Sequence, residues 1–222
     1  MKTRETDFIA GRLFVFDMDG TLLPKTSACL EIARATDTLP TLVDLERQFM
    51  EERIDTKQFA RELHLLWSLL DEGLVLTAFN QTPKLHNIQS VMELIAEHGG
   101  TSCMITMSPA YYAEHFYRFG LDIIMASQFP TTADGQVDPD KILSPADKPD
   151  LLERLCRTRG LNPIDTVAFG DSGSDIPLFT RLRYTIAVNA SPGLRKIAAA
   201  AYDGDDLLEA FDLVPQVLAS RD

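Results

Sequence analysis

Two short acidic clusters are the places where this sequence can do chemistry. The first, Asp17-Met18-Asp19-Gly20-Thr21, follows directly on the apolar run Leu13-Phe14-Val15-Phe16. On an extended segment, one-residue spacing would send the two carboxylates to opposite faces. If the chain curls at Asp17, with Gly20 permitting a tight path, Asp17 can attack a substrate while Asp19 reaches the leaving group. A polar Asx-type turn with no chemistry is the alternative. The second cluster, Gly170-Asp171-Ser172-Gly173-Ser174-Asp175, follows the apolar run Thr166-Val167-Ala168-Phe169 and precedes a helical pattern. Two strand-end carboxylate groups in one parallel sheet can converge on one hard cation, and Mg2+ suits oxygen ligands. Otherwise Asp171 is a turn residue and Asp175 a helix cap.

Both clusters need strands to deliver them. Short apolar runs recur at Cys103-Met104-Ile105, Ile123-Ile124-Met125 and Thr185-Ile186-Ala187-Val188, so that five strands are expected in all. Amphipathic segments alternate with them: Leu85 to Glu97, Ala110 to Phe119, Asp150 to Thr158 and Ile176 to Leu182. Strand-helix alternation predicts an α/β fold, a doubly wound parallel sheet of Rossmann-like type, whose ligands gather beyond the carboxyl ends of the strands. Between the first strand and Leu85 lie about sixty residues with no strand-like run, far beyond an ordinary connection. Helical patterns at Ser27 to Ala35, Leu42 to Glu51, Thr56 to Leu70 and Glu72 to Phe79, broken at Leu39-Pro40 and Ile54-Asp55-Thr56, predict a small inserted bundle. The expected division is a core of residues 1–24 and 85–222 with a helical cap over 25–84. A β-hairpin is expected around Phe129 to Asp140, with Asp134-Gly135 inside it.

Composition narrows the partners. Thirty-three acidic against twenty-one basic side chains leave a net charge of −12, which repels a phosphate backbone and argues against nucleic acid. A phosphorylated metabolite is still allowed, because a divalent cation sets the local potential of a pocket. Three well-separated cysteines, Cys29, Cys103 and Cys156, argue for a reducing compartment, and the absence of export signals and apolar spans makes a cytoplasmic protein without membrane contact the expectation. The histidines His64, His86, His98 and His115 show no zinc-binding spacing.

Asp-Met-Asp-Gly-Thr-Leu at 17–22 and Gly-Asp-Ser-Gly-Ser-Asp at 170–175 resemble the first and last motifs of the haloacid dehalogenase superfamily. The helical insert after the first motif, and Ala187-Val188-Asn189-Ala190, resemble its phosphoserine-phosphatase-like branch. That resemblance implies a Mg2+-dependent phosphohydrolase working through an aspartyl-phosphate. It makes Asp17 the nucleophile and Asp19 the general acid and base, and gives the ion Asp17, Asp171 and the Asp19 main-chain carbonyl, with Asp175 completing or supporting that shell. The second motif falls on Thr106, whose hydroxyl would hold a phosphoryl oxygen with neighbouring backbone N–H groups such as that of Met107; Ser108 is the competitor. The third falls on Lys148, just ahead of a helix beginning at Asp150, with Lys141 as its rival. An Asp at position 19 also separates a phosphatase from a dehalogenase, since halide leaves without a proton.

The resemblance puts substrate selection in the insert, and there the sequence departs from phosphoserine phosphatases. Those enzymes carry an acid shortly after the first motif to hold the substrate amine, whereas this chain reads Pro24-Lys25-Thr26-Ser27, with no acid until Glu31. Arg53 and Arg61 are candidates to grip a carboxylate or a second phosphate, or are solvated. Trp67, Phe49, Phe59 and Phe79 line a pocket or form the bundle core. A phosphomutase or phosphotransferase of the same fold, and a non-catalytic phospho-ligand sensor, are the other readings.

Overall fold

Alternation along the first strand decides how the sheet is covered. In the computed structural model, which describes residues 6–68, 70–130 and 135–220, β1 (Leu13–Phe16) is buried along its whole length. Phe14 and Phe16 enter one apolar cluster, Leu13 and Val15 another, as the two-residue period of a strand requires. A strand covered on both faces reads as an unbroken apolar run.

After β1 come α1 (Ala28–Ala35), α2 (Leu39–Met50), α3 (Thr56–Leu66) and α4 (Glu72–Gln81), then α5 (Ile88–Glu97), β2 (Thr101–Pro109) and α6 (Ala110–Ala113). The chain continues through β3 (Ile123–Ser127), α7 (Asp147–Arg159), β4 (Val167–Gly170), α8 (Ile176–Phe179) and β5 (Tyr184–Val188). It ends with α9 (Pro192–Arg195), β6 (Ala200–Tyr202), α10 (Leu207–Phe211) and α11 (Val214–Ala219). The six strands run in the order β3-β2-β1-β4-β5-β6, all parallel. Helices α5, α10 and α11 cover the Phe14 and Phe16 face, and α7, α8 and α9 the other. Phe16 stacks on Phe169 at 4.7 Å between ring centres, a contact worth about 1 kcal/mol beyond the burial itself. The expected α/β doubly wound fold is the observed one. Its order reverses at β1, which has β2 on one side and β4 on the other, so the loops leaving β1 and β4 diverge around a crevice.

Helices α1 to α4 occupy the long connection after β1. Ser27, Asp55 and Asp71 cap α1, α3 and α4 by accepting from backbone N–H groups in the first turn, and Gln58 completes a capping box with Asp55. Each such cap contributes about 1 kcal/mol. Trp67 and Phe79 are buried in the core. The excursion leaves and returns at one place, where Leu85 N donates to Leu22 O at 3.0 Å.

The structure departs from the sequence reading at several points. A sixth strand, β6, joins the sheet beside β5; Ala-Ala-Tyr is too short and too poor in β-branched residues to announce a strand. Leu39-Pro40 does not break a helix but opens α2, since proline is well suited to a first turn. Thr166 lies outside β4. The expected hairpin falls partly on residues 131–134, outside the described residues. The described residues around it, 128–130 and 135–138, form no strand and Pro139–Lys141 is a 3-10 turn. The loop is closed at its base instead, by Gln128 N donating to Lys141 O at 3.0 Å. Among the described residues no helix is long and apolar enough to cross a membrane.

Candidate active site

Asp17 is the first residue past β1, and its N–H donates to Phe169 O of β4 at 2.9 Å. The backbone then turns: Leu23 N donates to Met18 O, and Gly20, with φ +78°, donates to Leu23 O and Thr26 O. A Cβ on Gly20 would lie 2.1 Å from Asp171 Oδ2, so a side chain there, already strained at this φ, would push Asp171 aside. At Gly170 an added Cβ would stand 2.5 Å from Asp175 Oδ2.

Lys148 joins the loops. Its Nζ donates to Asp17 Oδ1 and to Asp175 Oδ1, both at 2.7 Å, and its side chain is 1% exposed. It stands inside the first turn of α7, not ahead of the helix as expected; α7 begins at Asp147, and Pro149 fits its first turn. Burial works against the Lys148 charge, but Asp17 and Asp175 outweigh it and hold the ammonium above its ordinary value. Asp17 is also buried, which raises its carboxyl above the usual range against the pull of Lys148. Thr21 Oγ1 makes a long 3.5 Å contact to Asp17 Oδ2.

Asp17, Asp171 and Asp175 bring carboxylate oxygens within 4.8 Å of one another. Asp171 Oδ1 is buried and has no hydrogen-bond partner, a costly state for a carboxylate unless something positive fills the space. The donor set is all oxygen and fits a hard divalent cation. Asp175 is otherwise engaged: beyond Lys148, it accepts from the N–H groups of Asp171 and Ser172 at 3.0 and 3.3 Å. This leaves it a supporting place beside Asp171. The Asp19 side chain is not part of this group.

Burial, followed by the neighbouring Asp175, raises Asp171 to about 7. A proton and a cation therefore compete for it near neutrality. If Asp171 helps to hold a divalent cation, the affinity for that cation should fall about tenfold between pH 8 and pH 6, as calorimetric titration with Mg2+ would register; a flat profile would exclude Asp171 as a ligand. The metal-free fold carries the opposite dependence. Its Asp171 holds a proton more tightly than the unfolded chain does, so this group's stabilisation is lost as pH rises from 3.8 through about 7.

Asp19 faces away from this cluster. Its Oδ1 accepts from Ala28 N at the start of α1 at 2.7 Å, and its Oδ2 accepts from the Ser108 hydroxyl. Burial raises its carboxyl, in the direction that suits a proton donor. Thr106 is 1% exposed near the end of β2, with Ser108 N donating to its Oγ1 at 3.1 Å. Strand pairing between β2 and β3 lapses between Ile105 and Pro109, and pairing to β1 ends at Met104. Asp19, Met107 and Ser108 help line a cavity of about 330 Å3.

The candidates read from the sequence thus gather around the ends of β1, β2 and β4. Lys141 stays outside, in the loop after β3. Arg53 is exposed and pairs with Glu51, and Arg61 is exposed on the far side of α3. Missed from sequence were the Ser108 bond to Asp19, the Ala28 bond to Asp19 and the place of Glu46 in the cavity wall. Only the N-cap Ser27 hinted at the second, by directing the first turn of α1 toward an anion.

The profile of the haloacid dehalogenase-like hydrolases matches residues 14–180. The chain belongs to that family. The phosphoserine phosphatase of Methanocaldococcus jannaschii is 25% identical over 207 residues, spanning 91% of this chain and 97% of that protein. Two solved structures, a phospho-aspartyl intermediate analogue of phosphoserine phosphatase and a substrate-bound phosphoserine phosphatase complex, share the fold. Each has a TM-score of 0.75 at 24% identity and covers 91% of this chain, with 98% and 97% of their own lengths matched. Within the family this chain is similar over nearly its whole length to phosphoserine phosphatases.

Proposed function

We propose that the chain is a Mg2+-dependent phosphatase that hydrolyses a small phosphorylated metabolite through an aspartyl-phosphate on Asp17. The observation that carries this reading is the Lys148 ammonium fixed between Asp17 and Asp175 beside the partnerless oxygen of Asp171. In this reading residues 25–84 are the cap that selects the alcohol and excludes water.

Asp17, Asp171 and the Asp19 main-chain carbonyl would hold the ion, which when bound supplies positive charge against the repulsion between carboxylate and phosphate. Phosphoryl transfer asks the protein mainly for alignment and charge compensation. An Asp17 oxygen attacks phosphorus in line, and the bond from phosphorus to the ester oxygen breaks. Asp19 gives its proton to the departing alkoxide. Thr106 and the Met107 N–H hold the phosphoryl oxygens, and Lys148 balances the charge on Asp17. Asp19, now a carboxylate, takes a proton from water as that water attacks phosphorus, releasing phosphate and restoring Asp17.

The test uses p-nitrophenyl phosphate, whose leaving group needs no proton. Wild type should release phosphate with Mg2+ and stop with chelator. Asp19→Asn should give a burst of about one nitrophenolate per chain and then turn over about 100-fold more slowly than wild type, because the aspartyl-phosphate lacks its base. Steady turnover without a burst would move the base elsewhere, and chelator-resistant release would remove the metal.

A further inference from the structure

The leaving oxygen has to come within hydrogen-bond reach of Asp19, so the alcohol half of the substrate occupies whatever space lies beyond that carboxyl. That space is the cavity of about 330 Å3 between α2, α3, the end of β2 and the loop after β3. A volume of this size holds one ring with a short side chain. Its apolar walls include Phe49, Met50, Phe59, Leu63, Phe129 and Ile142. Among the described residues no lysine or arginine lines it. Leu63, 2% exposed, adds another apolar side chain to the wall.

The cavity's other charge is also negative. Glu46, on α2, is half buried in the wall and makes no hydrogen bond or ion pair among the described residues; burial and Asp19 both raise its carboxyl. Glu31, the first acid after the leading motif, is by contrast consumed by Thr26 and Arg34. An unpaired carboxylate in an apolar wall repels an anionic substituent and accepts from an ammonium or a hydroxyl.

We propose that the substrate is a phosphomonoester of an apolar arylalkyl or branched-alkyl alcohol that is neutral or carries an amine, and that esters bearing a carboxylate, O-phosphoserine included, are rejected. This rests on the phosphatase reading above and refines it. Phosphate release by the wild-type chain with Mg2+ is compared for benzyl phosphate, its para-aminomethyl and para-carboxy derivatives, and O-phosphoserine. The expected kcat/KM for benzyl phosphate exceeds that for O-phosphoserine by about 100-fold, since buried apolar groups each count for about tenfold or more. The para-carboxy ester should fall at least about tenfold below benzyl phosphate, and the para-aminomethyl ester should match or exceed it. Glu46→Gln should narrow the gap between the carboxy and aminomethyl esters about tenfold. If that variant does not fold, the wild-type series decides alone. Preference for O-phosphoserine or for the para-carboxy ester, or an equal effect of Glu46→Gln on all esters, overturns the proposal while leaving the phosphatase reading in place. No release from any ester, nor from p-nitrophenyl phosphate, overturns both.

Discussion

Asp17→Asn should lower phosphate release by at least about 10⁴-fold while leaving the fold intact, because the amide lacks the anionic oxygen that attacks phosphorus. The stability half of this expectation follows from the surroundings of the side chain. Asn keeps a carbonyl oxygen to accept from Lys148, and Lys148 keeps its second partner, Asp175, at 2.7 Å. The substitution also takes one negative charge from a cluster whose burial already disfavours ionisation of Asp17. Thermal unfolding should therefore shift by only a few degrees while activity disappears. Both halves are read on one preparation, by a phosphate assay and a melting curve. Retained turnover would end the nucleophile assignment, whereas an unfolded variant would show that Asp17 is needed first for structure.

Lys148→Met should do what Asp17→Asn does not, and damage stability and turnover together. Methionine fills similar space but leaves Asp17 and Asp175 facing each other, 6% and 1% exposed, without the cation between them. Removing one member of a buried ion cluster costs about 3–5 kcal/mol, mostly the penalty of the stranded charge. For a chain of this length that corresponds to a melting point lower by roughly 10 °C. The deficit should shrink in acid, where a carboxylate takes up a proton, and with Mg2+, which supplies positive charge near the same oxygens. Denaturant unfolding at two pH values, with and without Mg2+, reads all of this. A variant as stable as wild type throughout would mean that the Lys148 ammonium balances no buried charge.

How far sequence could reach is visible in these two residues. Asp17 was legible because an apolar run ending in Asp-x-Asp-Gly announces both the strand and the group it delivers. Lys148 could be placed only through the family resemblance, since a lysine on a helix is ordinarily solvated; its burial depends on partners 131 and 27 positions away. The strands with strong apolar runs were equally legible, while β6 is held by its neighbour β5 and not by its own propensity. Glu46 lay beyond reach for the same reason. Nothing local separates it from Glu51 or Glu52 five and six positions later, and only packing of α2 against the cavity leaves it without a partner. Local pattern marks the acidic strand ends, and tertiary packing decides which side chains line the cavity beside Asp19.

The hydrogen bond from Leu85 to Leu22 has a consequence for engineering. Helices α1 to α4 leave and rejoin the chain at this one place, so an exchange there leaves the strand order and the two acidic loops unbroken. If residues 25–84 select the substrate as proposed, chimaeras cut at that seam are the route to new substrates on this scaffold.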